Sequence, residues 1–227
     1  SRDIDRQNFP HYFLKEISES PDSVEKTLQN RWKIMEDNQS HYTIVLDETI
    51  IPKSLKKALI ADQIKRIFFI GQGTAGVAAL VCANTLNYYL DNPAVQVSAL
   101  KASEFSGFQL NENDAENAMA DTLVVAISQS GTTTDTNRAV DMVKALGAQT
   151  IAIVNRRDSD LTFKADGVLY TSSGRDIEMS VASTKAYLAM LIAQYLLALR
   201  IGKARGVVDE GLASDAQGME IFGAGQV

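Results

Sequence analysis

The spacing of apolar residues changes character along the chain. In residues 1–40 they recur at mixed three- and four-residue steps, as in Val24, Leu28, Trp32 and Met35. That period predicts two helices, over His11–Glu19 and Asp22–Glu36, with Pro21 at the first turn of the second. From about residue 55 short continuous apolar runs alternate with longer helical patterns. Strands are predicted at Arg66–Ile70, Val95–Leu100, Thr122–Ile127, Thr150–Val154 and Gly167–Tyr170. Helices are predicted after Gly76 up to about Leu90, from Asp135 to Leu146 with Gly147 as the stop, and from Ala182 to Ile201.

Strands that are apolar throughout, alternating with helices, define an α/β protein whose parallel sheet is covered on both faces. Right-handed crossovers bring every strand's C-terminal end to one edge, where ligands bind in such sheets. Three polar loops fall there: Gly71–Gly76, Ser128–Thr134 and Ser172–Lys185. The pattern divides the chain into an N-terminal helical segment (1–50), an α/β domain (51–202) and a glycine-richer tail (203–227). The tail reads as a linker toward another module, and a start at Ser1 fits a piece of a longer protein.

Composition narrows the function. The chain has 227 residues, a net charge of -6, 45% hydrophobic residues, one cysteine and two histidines. A lone Cys82 excludes a disulfide framework, and His11 and His41 are too scattered for a metal site, so neither metal nor cofactor is expected. Mild acidity argues against nucleic acid. The uncharged stretch Ile67–Leu90 is broken by Gly71, Gly73 and Gly76, and Ala186–Leu199 is too short to span, so no membrane partner is expected. No basic region followed by an apolar core opens the chain, and the expected location is the cytoplasm.

The chemistry concentrates in the polar loops. Gly71-x-Gly73-x-x-Gly76 follows a strand and opens a helix, as in dinucleotide-binding folds. The next strand ends Ser98-Ala99-Leu100-Lys101, without the acidic residue that would hold a ribose. A tight strand-to-helix turn or a backbone cradle for a sugar or phosphate explains the glycines as well. The second loop, Ser128-Gln129-Ser130-Gly131-Thr132-Thr133-Thr134, gathers five hydroxyls at a helix N-terminus. Free N–H donors, the positive dipole end and neutral hydroxyl donors suit a phosphate, and capping alone needs only one of those side chains. It lacks the Gly-Lys-Ser/Thr ending of a Walker A loop. The third, Glu178-Met179-Ser180-Val181-Ala182-Ser183-Thr184-Lys185, opens the most apolar helix; a capped helix start with a solvated lysine and a ligand contact are both open readings. Cys82 sits in an apolar helical pattern as core, and Ser130 lacks the glycine that a hydrolase elbow places two residues earlier.

Together these loops resemble the sugar isomerase (SIS) domain family. The resemblance rests on Gly73-Thr74, Ser128-Gln129-Ser130-Gly131-x-Thr133 and Glu178-x-x-Val181-Ala182-Ser183-Thr184-Lys185. His11-Tyr12-Phe13-x-Lys15-Glu16-Ile17 and Ser103-Glu104-Phe105 are similar to segments of the glucosamine-6-phosphate synthase branch. The resemblance implies a three-layer α/β/α sandwich with a five-stranded parallel sheet, preceded by N-terminal helices. It also implies fructose 6-phosphate or glucosamine 6-phosphate as ligand, with Ser128, Ser130 and Thr133 on the phosphate and Gln129 completing the loop. Gly73, Thr74, Val181 and Ser183 would line the sugar or the phosphate edge. It further implies a homodimer. The branch's proton-transfer groups lie in a second SIS domain, so no catalytic acid or base is assigned here. Three departures bear on the sugar: Ala75 where serine is common, Thr132 where an acid is frequent, and Gly71-Gln72-Gly73 in place of a Cys-containing turn. A non-catalytic sugar-phosphate sensor is the alternative function, ahead of a dinucleotide-binding oxidoreductase module.

Overall fold

The computed structural model describes residues 5–34, 42–110, 115–179 and 183–207. Two short helices come first, α1 (Tyr12–Ser18) and α2 (Ser20–Leu28). The strands β1 (Trp32–Ile34) and β2 (Tyr42–Ile44) then pair antiparallel, Trp32 opposite Ile44. Here the structure corrects the helix expected over Asp22–Glu36. The helix stops at Leu28, Asn30 adopts a left-handed backbone with φ 62°, and Trp32 lies on a strand. Asparagine tolerates that conformation because its short amide compensates locally. Val24, Leu28 and Trp32 keep helical spacing across this break, so periodicity alone did not reveal it. Met35 and His41 lie outside the described residues, as do 208–227 of the tail.

The helix α3 (Lys53–Ile60) leads into the alternating region: β3 (Arg66–Gly71), α4 (Thr74–Leu90), β4 (Gln96–Lys101), α5 (Ala102–Glu104) continued by a π-turn to Gln109, β5 (Thr122–Ser128), α6 (Thr134–Ala145), β6 (Gln149–Val154), α7 (Asp160–Lys164), β7 (Gly167–Tyr170) and α8 (Lys185–Ala204). The five strands β4-β3-β5-β6-β7 form one parallel sheet, as expected.

The alternating side chains of the central strands build two separate cores. Ile67, Phe69, Leu123, Val125, Ile127, Ile151 and Ile153 pack under α3, α4 and α8. Phe68, Ile70, Val124, Ala126, Ala152 and Val154 pack under α6 and α7, and Phe105 stacks on Phe68 at 5.3 Å. Thus β3, β5 and β6 are apolar at nearly every position because each face has its own helices. Helix α8 is long and apolar enough to cross a bilayer, but 67% of its most apolar window is buried against the sheet and α4. Cys82 is fully buried in the same core, where burial pushes its thiol well up and leaves it a small apolar packing group.

The strand order places a crevice. Chain progression from β3 runs outward to β4, then returns past β3 to β5. Loops leaving β3 and β5 therefore head to opposite faces, and a gap opens between their C-terminal ends. Ile70 lies opposite Ala126 in that ladder, so the loops at Gly71 and Ser128 flank the gap.

Candidate functional site

Glycines shape the first wall of the crevice. A Cβ on Gly71 would lie 2.6 Å from the backbone of Ala75, and one on Gly76 would lie 3.2 Å from the Gly71 carbonyl oxygen. These two residues let β3 and α4 approach closely, which accounts for them without a dinucleotide. Gly73 has a different task. It is the N-cap of α4 with φ 60°, exposed and with open space where a side chain would stand. Thr74 follows, half-buried, and the Gln72 amide reaches across to the Ser103 N–H at 3.4 Å.

The second wall is the Ser128–Thr133 loop, which is held from several sides. Gly131 N–H donates to Ser128 Oγ at 3.0 Å. The Gly131 carbonyl accepts from Leu161 N–H at 3.0 Å and from Asn137 Nδ2 at 3.1 Å. The Gln129 carbonyl accepts from Arg156 N–H at 3.2 Å. The loop is thus tied to the segment after β6 and to α7. Gly131 is required twice over: φ is +66°, and a Cβ there would sit 2.6 Å from the Cβ of Ser159.

The hydroxyls of this loop are spread across a range of depths. Ser128 is buried, with Thr133 Oγ1 3.5 Å away, whereas Ser130 and Thr133 are half-buried and Thr132 is exposed. Ser130 Oγ accepts from Thr132 N–H at 3.3 Å and lies 3.1 Å from Thr132 Oγ1. Thr133 is the N-cap of α6, yet its hydroxyl makes no capping hydrogen bond. Among the described residues no side chain accepts from the N–H groups of Thr134, Asp135 or Thr136. The positive end of α6 therefore keeps its donors available, with the Ser130 and Thr133 hydroxyls on the same loop beside them.

The third loop meets the edge differently. The Glu178 carboxylate accepts from Thr184 N–H and Ala186 N–H, both at 2.9 Å, and fills the N-terminus of α8. Glu16 of α1 accepts from Met179 N–H at 2.5 Å, and its second oxygen lies 3.2 Å from Thr184 Oγ1. Lys185 is buried and paired with Glu19 at 2.6 Å. This corrects the open reading of Lys185 as a solvated lysine: it is a structural ion. Asp176 binds Ser23 at 2.7 Å and Ser172 at 3.0 Å, and Ser172 N–H donates to Thr27 at 2.7 Å. Ser183 is half-buried beside this network; Ser180, Val181 and Ala182 lie outside the described residues.

The structure brings the loops of Gly73, Thr74, Ser128, Gln129, Ser130 and Thr133 to the two sides of one crevice and carries Ser183 on the same sheet edge. The sequence reading missed the underpinning: Glu16, Glu19, Ser23, Thr27, Asn137 and Ser159. The hydrophobic pattern could not signal it. Helix α1 is inverted, with Lys15 and Glu16 buried and Phe13, Leu14 and Ile17 exposed. Among the described residues no group of three or more His, Cys, Asp or Glu side chains could hold a metal ion.

A parallel α/β/α sandwich with hydroxyl-rich loops at its switch point is the architecture of the SIS domain, and the SIS family model matches residues 60–200. The chain belongs to that family. Within it, the chain is 36% identical over 205 residues to the glutamine–fructose-6-phosphate aminotransferase (isomerizing) of Mycobacterium leprae, covering 89% of this chain and 29% of that protein. It is 34% identical over 204 residues to the Thermus thermophilus enzyme of the same name, covering 90% and 30%. The chain thus spans about 30% of the length of these relatives. The C-terminal domain of glucosamine-fructose-6-phosphate aminotransferase from Francisella tularensis superposes with a TM-score of 0.71 at 25% identity, covering 98% of this chain and 54% of that one. The Vibrio vulnificus NanR protein, solved with ManNAc-6P, shares the fold with a TM-score of 0.56 at 14% identity, over 94% and 70% of the two chains.

Proposed function

We propose that this domain binds a hexose 6-phosphate, fructose 6-phosphate or glucosamine 6-phosphate, as the first SIS domain of a glucosamine-6-phosphate-synthase-like enzyme. The parent reaction is ketose–aldose isomerisation coupled to amination. The observation that carries this reading is the N-terminus of α6. Among the described residues its N–H groups lack a side-chain acceptor, and Ser128, Ser130 and Thr133 lie beside it on a loop already fixed by Leu161, Asn137 and Arg156. A pre-folded anion site loses little conformational freedom when the phosphate arrives.

The roles follow from position. Ser130 and Thr133 hydroxyls and the α6 N–H groups hold the phosphate. Ser128 buttresses Gly131 from below, and Gln129 closes the loop. Gly73 and Thr74 face the sugar across the gap, with Val181 and Ser183 contributing from the third loop. None of these side chains titrates near neutrality, so the loops bind and orient the sugar. The proton transfers need an acid and a base from elsewhere. The 227-residue chain alone is accordingly expected not to turn over fructose 6-phosphate.

The domain acts as a homodimer in this reading. Helix α4 exposes Val77, Leu80, Val81 and Tyr88 along its outer surface, and the neighbouring α8 exposes Leu188. Such a stripe suits a second copy. The cytoplasm is the compartment proposed for it, with neither nucleic acid nor membrane proposed as a partner. A second reading, a sugar-phosphate sensor, is favoured by the fold shared with a ManNAc-6P-binding protein.

Titration calorimetry tests the first reading. Fructose 6-phosphate or glucosamine 6-phosphate is expected to bind, with free fructose far weaker. Equal affinity for fructose and its phosphate would remove the phosphate from this loop.

A further inference from the structure

One side chain beneath the Ser128–Thr133 loop binds two of its carbonyls at once. Asn137 lies on α6, four residues after the N-cap Thr133, and is 7% exposed. Its Nδ2 donates to the Gly131 carbonyl at 3.1 Å and to the Thr133 carbonyl at 3.0 Å. Only the nitrogen end of an amide can serve two acceptors, so the side chain has one orientation. Its Oδ1 is then buried without a donor among the described residues. Each carbonyl also accepts from one main-chain group, Gly131 from Leu161 N–H and Thr133 from Asn137 N–H, both at 3.0 Å. Those donors hold one carbonyl each; only the amide ties both peptides to a single point.

Folding alone does not call for an amide there. Ala139, Val140 and Val143 of the same helix join the second core, and a leucine at 137 would favour the helix more and leave no buried acceptor unmet. The effect on the loop follows from peptide geometry. A trans peptide is planar, with its C=O and N–H pointing opposite ways, and the described residues contain no cis bond. Drawing the Thr133 carbonyl back toward α6 turns Thr134 N–H forward, off the front of the helix, where no described side chain accepts from it. Drawing the Gly131 carbonyl back turns Thr132 N–H forward onto Ser130 Oγ at 3.3 Å, which fixes that oxygen in turn. Sites that must hold a ligand within about half an ångström depend on such supports beneath the contacting groups. We propose that Asn137 is a positioning residue for phosphate recognition: by holding both carbonyls back it presents Thr134 N–H and the Ser130 hydroxyl to the anion. This rests on the sugar-phosphate reading above and adds the group that sets the loop for it.

Calorimetry on the 227-residue chain tests this with inorganic phosphate and with fructose 6-phosphate, for the native chain, Asn137→Leu and Asn137→Ser. Asn137→Leu is expected to weaken both ligands about tenfold, as when one hydrogen bond to a charged group is lost. Asn137→Ser can still donate to the Thr133 carbonyl four residues back, so its affinity should end only about threefold below native. It also carries the test if Asn137→Leu does not fold. Backbone amide resonances add a readout that a merely structural role would not move. In the native chain, inorganic phosphate is expected to shift the Thr134 amide proton downfield; in the folded variants that shift shrinks even at saturating phosphate. Affinities in the folded variants equal to native overturn the positioning role. So does a Thr134 shift that is absent in the phosphate-bound native chain or undiminished in the variants at saturation. A native chain that binds neither ligand overturns the sugar-phosphate reading itself, and the inference with it.

Discussion

Two strand-to-helix junctions lie on the same edge of one sheet and offer opposite electrostatics. At the first, between β5 and α6, no side chain among the described residues caps the N–H groups of the helix start, and the loop beside it carries neutral hydroxyls, with Asp135 in the first turn accepting from none of them. At the second, between β7 and α8, the N-terminus is already occupied by the protein's own carboxylate, Glu178, backed by Glu16. A helix start attracts an anion in either case. What differs is whether the anion is built in or must come from outside. The junction that supplies its own is spent on rigidity; the junction that does not is the one available to a phosphate. Loop length follows the same logic. The first crosses in the five residues 129–133, and the second needs 171–184 to bring an acid back over its own helix.

The comparison breaks most severely at Gly131. Gly131→Val combines a left-handed backbone with a Cβ 2.6 Å from that of Ser159, so the loop must rearrange. Sugar-phosphate binding is expected to fall more than about a hundredfold, because the hydroxyls and N–H groups no longer converge; calorimetry reads this directly.

Ser130→Ala and Thr133→Ala should each cost about tenfold to a hundredfold in affinity for fructose 6-phosphate, as a hydrogen bond to a charged group contributes roughly 1.5–3 kcal/mol. Because the Thr133 hydroxyl caps nothing, its removal is expected to leave the thermal midpoint nearly unchanged. A large drop in that midpoint for Thr133→Ala would mean that the first junction is structural like the second.

Glu178→Ala reverses the pattern. Loss of two charge-assisted bonds, from the N-cap Thr184 N–H and from Ala186 N–H of α8, should destabilise the domain by about 1–2 kcal/mol. That is a fall of roughly 4 °C for a chain of this size, seen by calorimetric melting. Inorganic phosphate should bind the first junction as before, and a second phosphate appearing in the titration would show that vacancy alone makes a site. The smallest effect is expected from Ser98→Ala on β4, remote from both junctions, with affinity unchanged.

Much of this was legible in the sequence. Strands buried on both faces declare themselves: Leu123 to Ile127 are all buried, and their continuous apolar run needs no partner information to be read. The Ser128–Thr134 loop was legible because its five hydroxyl residues exceed what capping requires. The end of α2 was not. Val24, Leu28 and Trp32 keep a helical spacing that the left-handed Asn30 interrupts, and the pairing of Trp32 with Ile44 is a contact that no local window contains. The role of Glu16 was hidden for a similar reason. Its partners, Met179 and Thr184, lie more than 160 positions away, and a short helix with buried charges defeats the rule that apolar faces point inward.

The inverted helix α1 also separates the unit of inheritance from the unit of folding. The family match begins at residue 60, but the sheet domain it delimits contains Lys185, whose side chain is 8% exposed and whose counter-ion Glu19 stands well upstream of that boundary. Ser172 N–H, equally, is satisfied by Thr27. A protein trimmed to the matched span would carry an orphaned ammonium and an unmet amide at the edge where the C-terminal ends of the strands gather. Any recombination that moves this domain into a new chain must therefore carry the residues from α1 onward with it, as a keystone travels with its arch.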